Sequence, residues 1–193
     1  QYKINNFNPI IDLKKILLTG LSTDSFILAQ QLRATSINCD GGFITINRIE
    51  KESENKNASV LFTSSLIDGM QVGSAKLGKT NIVIINQSEP NKAPFVLNDV
   101  EFDLTKSLKV SDQGTVNDLI NNAQWKLRSS GFTIVTNDKL YKFSATGINI
   151  DNTNSFIKIK KIILLPQLSE AAFMKQRSIQ GDRYDFVFND IEL

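Results

Sequence analysis

Apolar and polar residues alternate one for one in several separate stretches of this chain, and that alternation constrains the fold more than any other feature. In Val100-Glu101-Phe102-Asp103-Leu104 the apolar side chains point one way and the carboxylates the other, as in a strand with one buried face. The same period governs Ala123-Gln124-Trp125-Lys126-Leu127-Arg128, Tyr141-Lys142-Phe143-Ser144-Ala145 and Ile157-Lys158-Ile159-Lys160, and it returns from Asp185 to Leu193. Thr80 to Asn86 is nearly all apolar and β-branched, a strand that is either covered on both faces or short and central. Turn chemistry separates these stretches at Asp40-Gly41-Gly42, Asn137-Asp138, Thr146-Gly147 and Asp151-Asn152.

The expected fold is therefore all-β, a meander of strands rather than strands alternating with helices. One or two short helices accompany it. Ser169 can cap a helix running to about Gln176, with Leu168 and Phe173 at the spacing of a hydrophobic staple. A second short helix is expected over Ser59 to Ile67. Glu50 to Asn57 is a polar loop, and it divides an N-terminal β portion, residues 1–57, from the main β domain, residues 58–193.

A hydrophobic share of 41% is enough to bury a core. Lys and Arg number 22 against 20 Asp and Glu, and they are not clustered, so no nucleic-acid partner is expected. Lys158-Ile159-Lys160-Lys161, the longest cationic stretch, reads as the wet face of a strand. Cys39 is the single cysteine, which excludes an internal disulfide and a thiolate metal cluster; before a tight turn it reads as a small apolar filler. No run approaches the roughly 20 apolar residues of a membrane span. The chain opens at Gln1 without a signal peptide and closes on a strand-like segment, so both ends read as cut from a longer protein.

The sharpest motif is Gly73-Ser74-Ala75-Lys76-Leu77-Gly78-Lys79-Thr80, which fits the phosphate-loop pattern at every specified position. That chemistry needs a helix after the loop, so that backbone N–H groups and the helix dipole meet the phosphates. Here the strand Asn81-Ile82-Val83-Ile84-Ile85 follows, so a glycine-containing turn between strands is expected, and no nucleotide. Histidine is absent, which removes the commonest general base and the Ser-His-Asp triad. Asp99, Glu101 and Asp103 share one strand face, and Asp182, Asp185 and Asp190 lie near the C-terminus, but neither group has the spacing of a calcium loop. No catalytic residue, metal ligand or cofactor is assigned, and a non-enzymatic chain is expected.

From about residue 67 onward the order of segments resembles the AsmA/TamB-like envelope proteins of Gram-negative bacteria. Ile67 to Leu77, Asn81 to Ile85 and Phe95 to Leu104 look like successive strands of such a unit. Leu140-Tyr141-Lys142-Phe143, Ile148-Asn149-Ile150 and Phe156 to Leu165 lead to Pro166 and then to Ser169-Glu170-Ala171-Ala172-Phe173-Met174. Gly181-Asp182-Arg183-Tyr184-Asp185 then opens a last strand. This block of strand, proline, short Phe-bearing helix and Asp-Arg before a strand is similar to that family. The family's usual N-terminal membrane anchor and further repeats are not in this sequence.

The resemblance implies an elongated, curled antiparallel sheet with an open, taco-like groove, in the periplasm or cell envelope. It implies lipid or an acyl chain, and other envelope proteins, as partners, in lipid transport or outer-membrane maintenance. It supplies no catalytic residue. Alternation supplies candidates to line the groove: Val100, Phe102, Trp125, Leu127, Tyr141, Phe143, Ile157, Ile159, Phe186 and Phe188. Asp182 and Arg183 are expected to be structural, Arg183 tying the helix's C-terminal carbonyls or a carboxylate to the sheet. Alternation alone leaves a closed β-sandwich, a structural or protein-interaction module, as the alternative, because it predicts one buried face in either architecture.

Overall fold

The structure, a computed structural model, describes residues 7–29, 31–48, 69–90, 92–105, 108–111, 123–176 and 183–193. The strands are β1 Phe7–Leu13, β2 Ile16–Thr19, β3 Gln31–Cys39, β4 Gly42–Arg48, β5 Gly69–Asn86, β6 Phe95–Leu104, β7 Leu108–Ser111, β8 Trp125–Val135, β9 Tyr141–Asp151, β10 Phe156–Pro166 and β11 Phe186–Glu192. Two short helices join them, α1 Thr23–Ala29 and α2 Glu170–Gln176. All the strands belong to one large sheet that is curled but not closed, so the open architecture, not the sandwich, is the one adopted.

The sheet is mixed. β5 is long enough to carry two strands along one edge: β3 runs parallel to its first half and β4 parallel to its second. β1 and β2 then pair antiparallel with β4 and β3. On the other edge of β5 the order continues antiparallel through β6, β8, β9, β10 and β11, with β7 beside the start of β5. The antiparallel meander read from the sequence is thus correct from β5 onward, while the N-terminal strands add two parallel pairings.

Two turn assignments need correcting. Gly73–Thr80 is not a turn; all of it lies inside β5. Thr146-Gly147 is not a turn either, because β9 runs unbroken from Tyr141 to Asp151 and Gly147 takes φ +63 inside it. The alternating stretches at 123–128, from Trp125 on, and at 141–145 belong to longer strands. Turns do occur at 40–41, 136–140 and 152–155. The expected helix after Ser169 forms, with the Ser169 carbonyl accepting from Phe173 N–H at 2.8 Å. The segments 50–57 and 59–67 lie outside the described residues. α1 was not expected; Ser22 caps it, its carbonyl accepting from Phe26 N–H at 3.2 Å.

Gly147 belongs to a larger feature. The flanking registers place Asp99 across from Ser130, Ser130 across from Gly147, Gly147 across from Lys160, and Lys160 across from Asp190. Asp99 (φ +48), Gly147 (φ +63) and Asp190 (φ +51) all lie in the left-handed region, and Gly131 (φ +132) sits next to Ser130. The β5–β6 pairing shifts at the same level, between Leu77 and Thr80 and between Thr80 and Ile82. One transverse row of irregular residues therefore crosses the sheet, and we call it the crease. In β5, β6, β8, β9, β10 and β11 the apolar alternation also slips by one residue there, as residues that leave the pleat allow.

Residues beside the crease are among the most secluded in the sheet, as are Val72 and Asp151 away from it, at 1% and 2% exposed. Thr80, Val100 and Ser129 are 0%, 1% and 5% exposed, yet among the described residues no second layer covers them. The conventional core is small: Leu140, Tyr141 and Phe173, with Leu164 and Leu168 packed against them, where α2 covers one corner.

Candidate functional site: the uncovered apolar bands

Below the crease one register row reads Ile16, Cys39, Leu77, Phe102, Leu127, Ile150 and Ile157 across seven strands, and Leu193 completes it beside Ile157. Every side chain in it is apolar. The next rows carry Leu18, Ile37, Ala75, Leu104 and Trp125 on one side, and Ile148, Ile159 and Ile191 on the other. These residues share the phase of Val100 and so one face of the sheet. Eight strands about 4.8 Å apart make this band roughly 34 Å long across the strands.

Above the crease a second band runs Ile11, Ile44, Ile82, Leu97, Phe132, Ala145, Ile162 and Phe188, followed by Pro9, Ile46, Ile84, Phe95, Ile134, Phe143, Leu164 and Phe186. It is the aromatic band. Phe132 lies 5.0 Å from Phe95 and 5.8 Å from Phe143, centroid to centroid, and Phe186 lies 5.0 Å from Phe188. The lower band has one aromatic pair, Phe102 stacked on Trp125 at 6.0 Å.

The opposite phase of the lower half is charged and internally paired. Arg128 bridges Asp103 at 2.7 Å and Glu101 at 3.4 Å, Lys126 binds Asp151 at 2.9 Å, and Lys158 meets Glu192 at 2.5 Å. Asp151 is held at a pKa of about 2 by the hydrogen bond from Lys126, helped by the Asn154 side chain and backbone. Lys158 is raised and Glu192 lowered by their mutual hydrogen bond. Glu101 and Asp103 therefore serve the face opposite the band as an ion-pair ladder, as the alternation indicated. Asp99 does not share that face; it sits in the crease, where its N–H donates to the Asn81 side-chain oxygen at 3.0 Å.

Of the ten expected lining residues, Phe102, Trp125, Leu127, Ile157 and Ile159 fall in the lower band, and Phe143, Phe186 and Phe188 in the upper. Val100 lies in the crease. Tyr141 lines no open surface: its ring packs edge-on to Phe173 at 5.4 Å beneath α2, and its hydroxyl accepts the Tyr184 N–H at 3.1 Å. Arg183 is exposed and reaches only the Leu168 carbonyl, at 3.5 Å, so its partner precedes α2 rather than ending it. Asp182 lies outside the described residues. Cys39 is buried, its sulfur 3.4 Å from the Gly41 nitrogen.

Sequence reasoning missed the N-terminal half of each band, because Ile16, Ile37 and Ile44 join it only through the parallel pairing of β3 and β4 with β5. Nothing in their local pattern specifies that neighbour. Lys79, the lysine of the phosphate-loop pattern, sits on extended backbone with strand on both sides, a geometry without the loop and helix N-terminus that cradle phosphates. No helix among the described residues is long and apolar enough to cross a membrane, and no group of His, Cys, Asp and Glu among them could hold a metal ion. Comparison with family models, curated proteins and solved structures finds no match.

Proposed function

We propose that this is a non-enzymatic β domain whose concave side holds lipid acyl chains. The observation that carries the reading is the all-apolar row from Ile16 to Leu193, left without a covering layer among the described residues. Among the described residues nineteen large hydrophobic residues are exposed, and seven of them, from Ile11 and Ile16 to Phe188 and Leu193, lie in the two bands. The slip of phase at the crease lets the aromatic band above it join the aliphatic band below on one side of the curl.

An alkyl chain suits such a surface because it needs no polar partner. Each methylene buried contributes about 0.8 kcal/mol. A dozen methylenes supply about 10 kcal/mol, within the roughly 4–15 kcal/mol that association costs in lost freedom. Binding along the band therefore favours long chains and leaves a head group in water. A role in lipid movement or outer-membrane maintenance in the periplasm of a Gram-negative bacterium rests on the resemblance to AsmA/TamB-like proteins.

The test is photo-crosslinking from adjacent positions in opposite phases. A benzophenone amino acid replacing Leu127 should capture phospholipid from a native membrane extract, and one replacing Arg128 should not. Mass spectrometry of the natively purified chain should find phospholipid bound. No lipid by mass spectrometry and no difference between the two positions would remove this reading and leave a protein-interaction module.

A further inference from the structure

Both bands run out to the lateral edges of the sheet without being closed off. At one edge Ile11 and Ile16 are 58% and 57% exposed, and at the other Phe188 and Leu193 are 54% and 78% exposed. Sheets usually blunt such edges with inward-pointing charge or a covering element, because unpaired backbone groups there recruit another strand. Among the described residues no strand pairs with the outer edge of β11, or with that of β1 and β2. Ile157 and Leu193 exchange both backbone hydrogen bonds, at 3.0 Å each. In an antiparallel ladder that alternation turns the N–H and C=O of Glu192 away from β10, toward an absent neighbour.

We propose that copies of this chain join edge to edge, the outer edge of β11 in one copy pairing with the β1–β2 edge of the next. Strand direction, register and charge each support this joint. β1, β2 and β11 all run opposite to β5, so flush continuation of the sheet makes a parallel pair, the geometry β3 and β4 already adopt on β5. Flush continuation also sets Ile11 level with Phe188, Leu13 with Ile191, and Ile16 with Leu193. The apolar bands and the crease then cross the joint in phase.

The two edges carry opposite net charge, with Asp12 and Asp190, between the Ile11 and Leu13 levels, the one like-charged meeting. Residues 7–19 hold Asp12, Lys14 and Lys15, a net charge of +1, and residues 183–193 hold Arg183, Asp185, Asp190 and Glu192, a net charge of −2. Lys14 and Lys15 fall between the Leu13 and Ile16 levels, beside Glu192, which they would share with Lys158 of its own copy. A two-fold contact of β11 with itself would bring acidic edges together, and one of β1–β2 with itself would bring the lysines together. The favoured contact is therefore head to tail, which does not close on itself and builds a row of copies.

The test is sedimentation velocity over a wide concentration range, with charge exchange. The wild-type chain should grow past a dimer as concentration rises. The double variant Lys14→Glu/Lys15→Glu should stay monomeric, and so should Glu192→Lys, each with an unchanged far-UV circular dichroism spectrum. An equimolar mixture of the two variants should assemble again, because every joint in an alternating row then pairs opposite charges. Raised salt should weaken assembly. A wild-type chain that stays monomeric, a species that stops at a dimer, or variants that assemble as the wild type does would each overturn the proposal.

Discussion

Replacing the crease glycines by alanine tests whether this row shapes the sheet. Gly131 takes φ +132, and a Cβ there would lie 2.0 Å from the Ala145 carbonyl oxygen and 2.8 Å from the Thr146 Cα. Both obstacles are backbone of the neighbouring strand, so the clash is relieved only by parting β8 from β9. The conformation alone costs on the order of 1–3 kcal/mol for a residue with a side chain, and lost pairing adds to it, so Gly131→Ala should destabilise by at least about 3 kcal/mol. Gly147 takes φ +63, with Lys160 Cβ 2.7 Å from the added carbon. Here the obstacle is a side chain that can shift, and the left-handed conformation costs about 1–2 kcal/mol. Gly147→Ala should thus cost about 2 kcal/mol, and Gly147→Asn less, because asparagine tolerates that region. Urea unfolding followed by far-UV circular dichroism measures all three. A Gly131→Ala variant within about 0.5 kcal/mol of wild type, or one less damaging than Gly147→Ala, would refute the account of the crease.

Two further outcomes follow from the geometry. Phe173 is the one buried residue among Glu170–Lys175 of α2, and a buried Phe→Ala change costs about 3–5 kcal/mol. Seven residues without that anchor do not hold a helix, so Phe173→Ala should release α2 alone: amide exchange should rise across 170–176 and stay slow in β8 and β9. Asp151 is lowered from 3.8 to about 2 by Lys126 and Asn154, so it stabilises the fold above its unfolded pKa, and that stability is lost as pH falls through the folded value. The melting-temperature gap between wild type and Asp151→Asn should accordingly be constant above about pH 5 and shrink toward about pH 2. A gap that widens on acidification would contradict the Lys126 pairing.

Much of the fold is legible in the sequence because each strand advertises one apolar face. Phe102, Leu127 and Ile157 alternate with charged neighbours, and those neighbours prove to be the ion-pair ladder of the other face. The helix after Ser169 is legible for the same local reason, a cap and a staple within five residues. What escapes is either non-local or carried by an ambiguous residue. Parallel pairing of β3 and β4 with β5 joins segments about 40 residues apart and leaves no local mark. Glycine at 147 reads as a turn because a tight turn and a left-handed residue inside a strand demand the same freedom of φ. Asp99 and Asp190 take that conformation without glycine and look like any residue on a wet face.

Yet the crease does leave a trace, in the spacing of the apolar residues rather than in any one of them. Along β6 the apolar set moves from Leu97 to Phe102, along β8 from Leu127 to Phe132, along β9 from Ala145 to Ile148, and along β10 from Ile159 to Ile162. Each step is odd, whereas a continuous pleat with one apolar face demands even steps. A single odd step reads as a loop or an error. Four odd steps that fall at one level once the strands are paired are a property of the sheet, and they mark where it bends. The same count bears on what the sheet is for, because an uncorrected slip would have put the aromatic band on the far side from Phe102 and Leu127. In the proposed lipid-binding role, the irregular row at the crease brings the two bands onto one side, and that continuity is what a long apolar ligand requires.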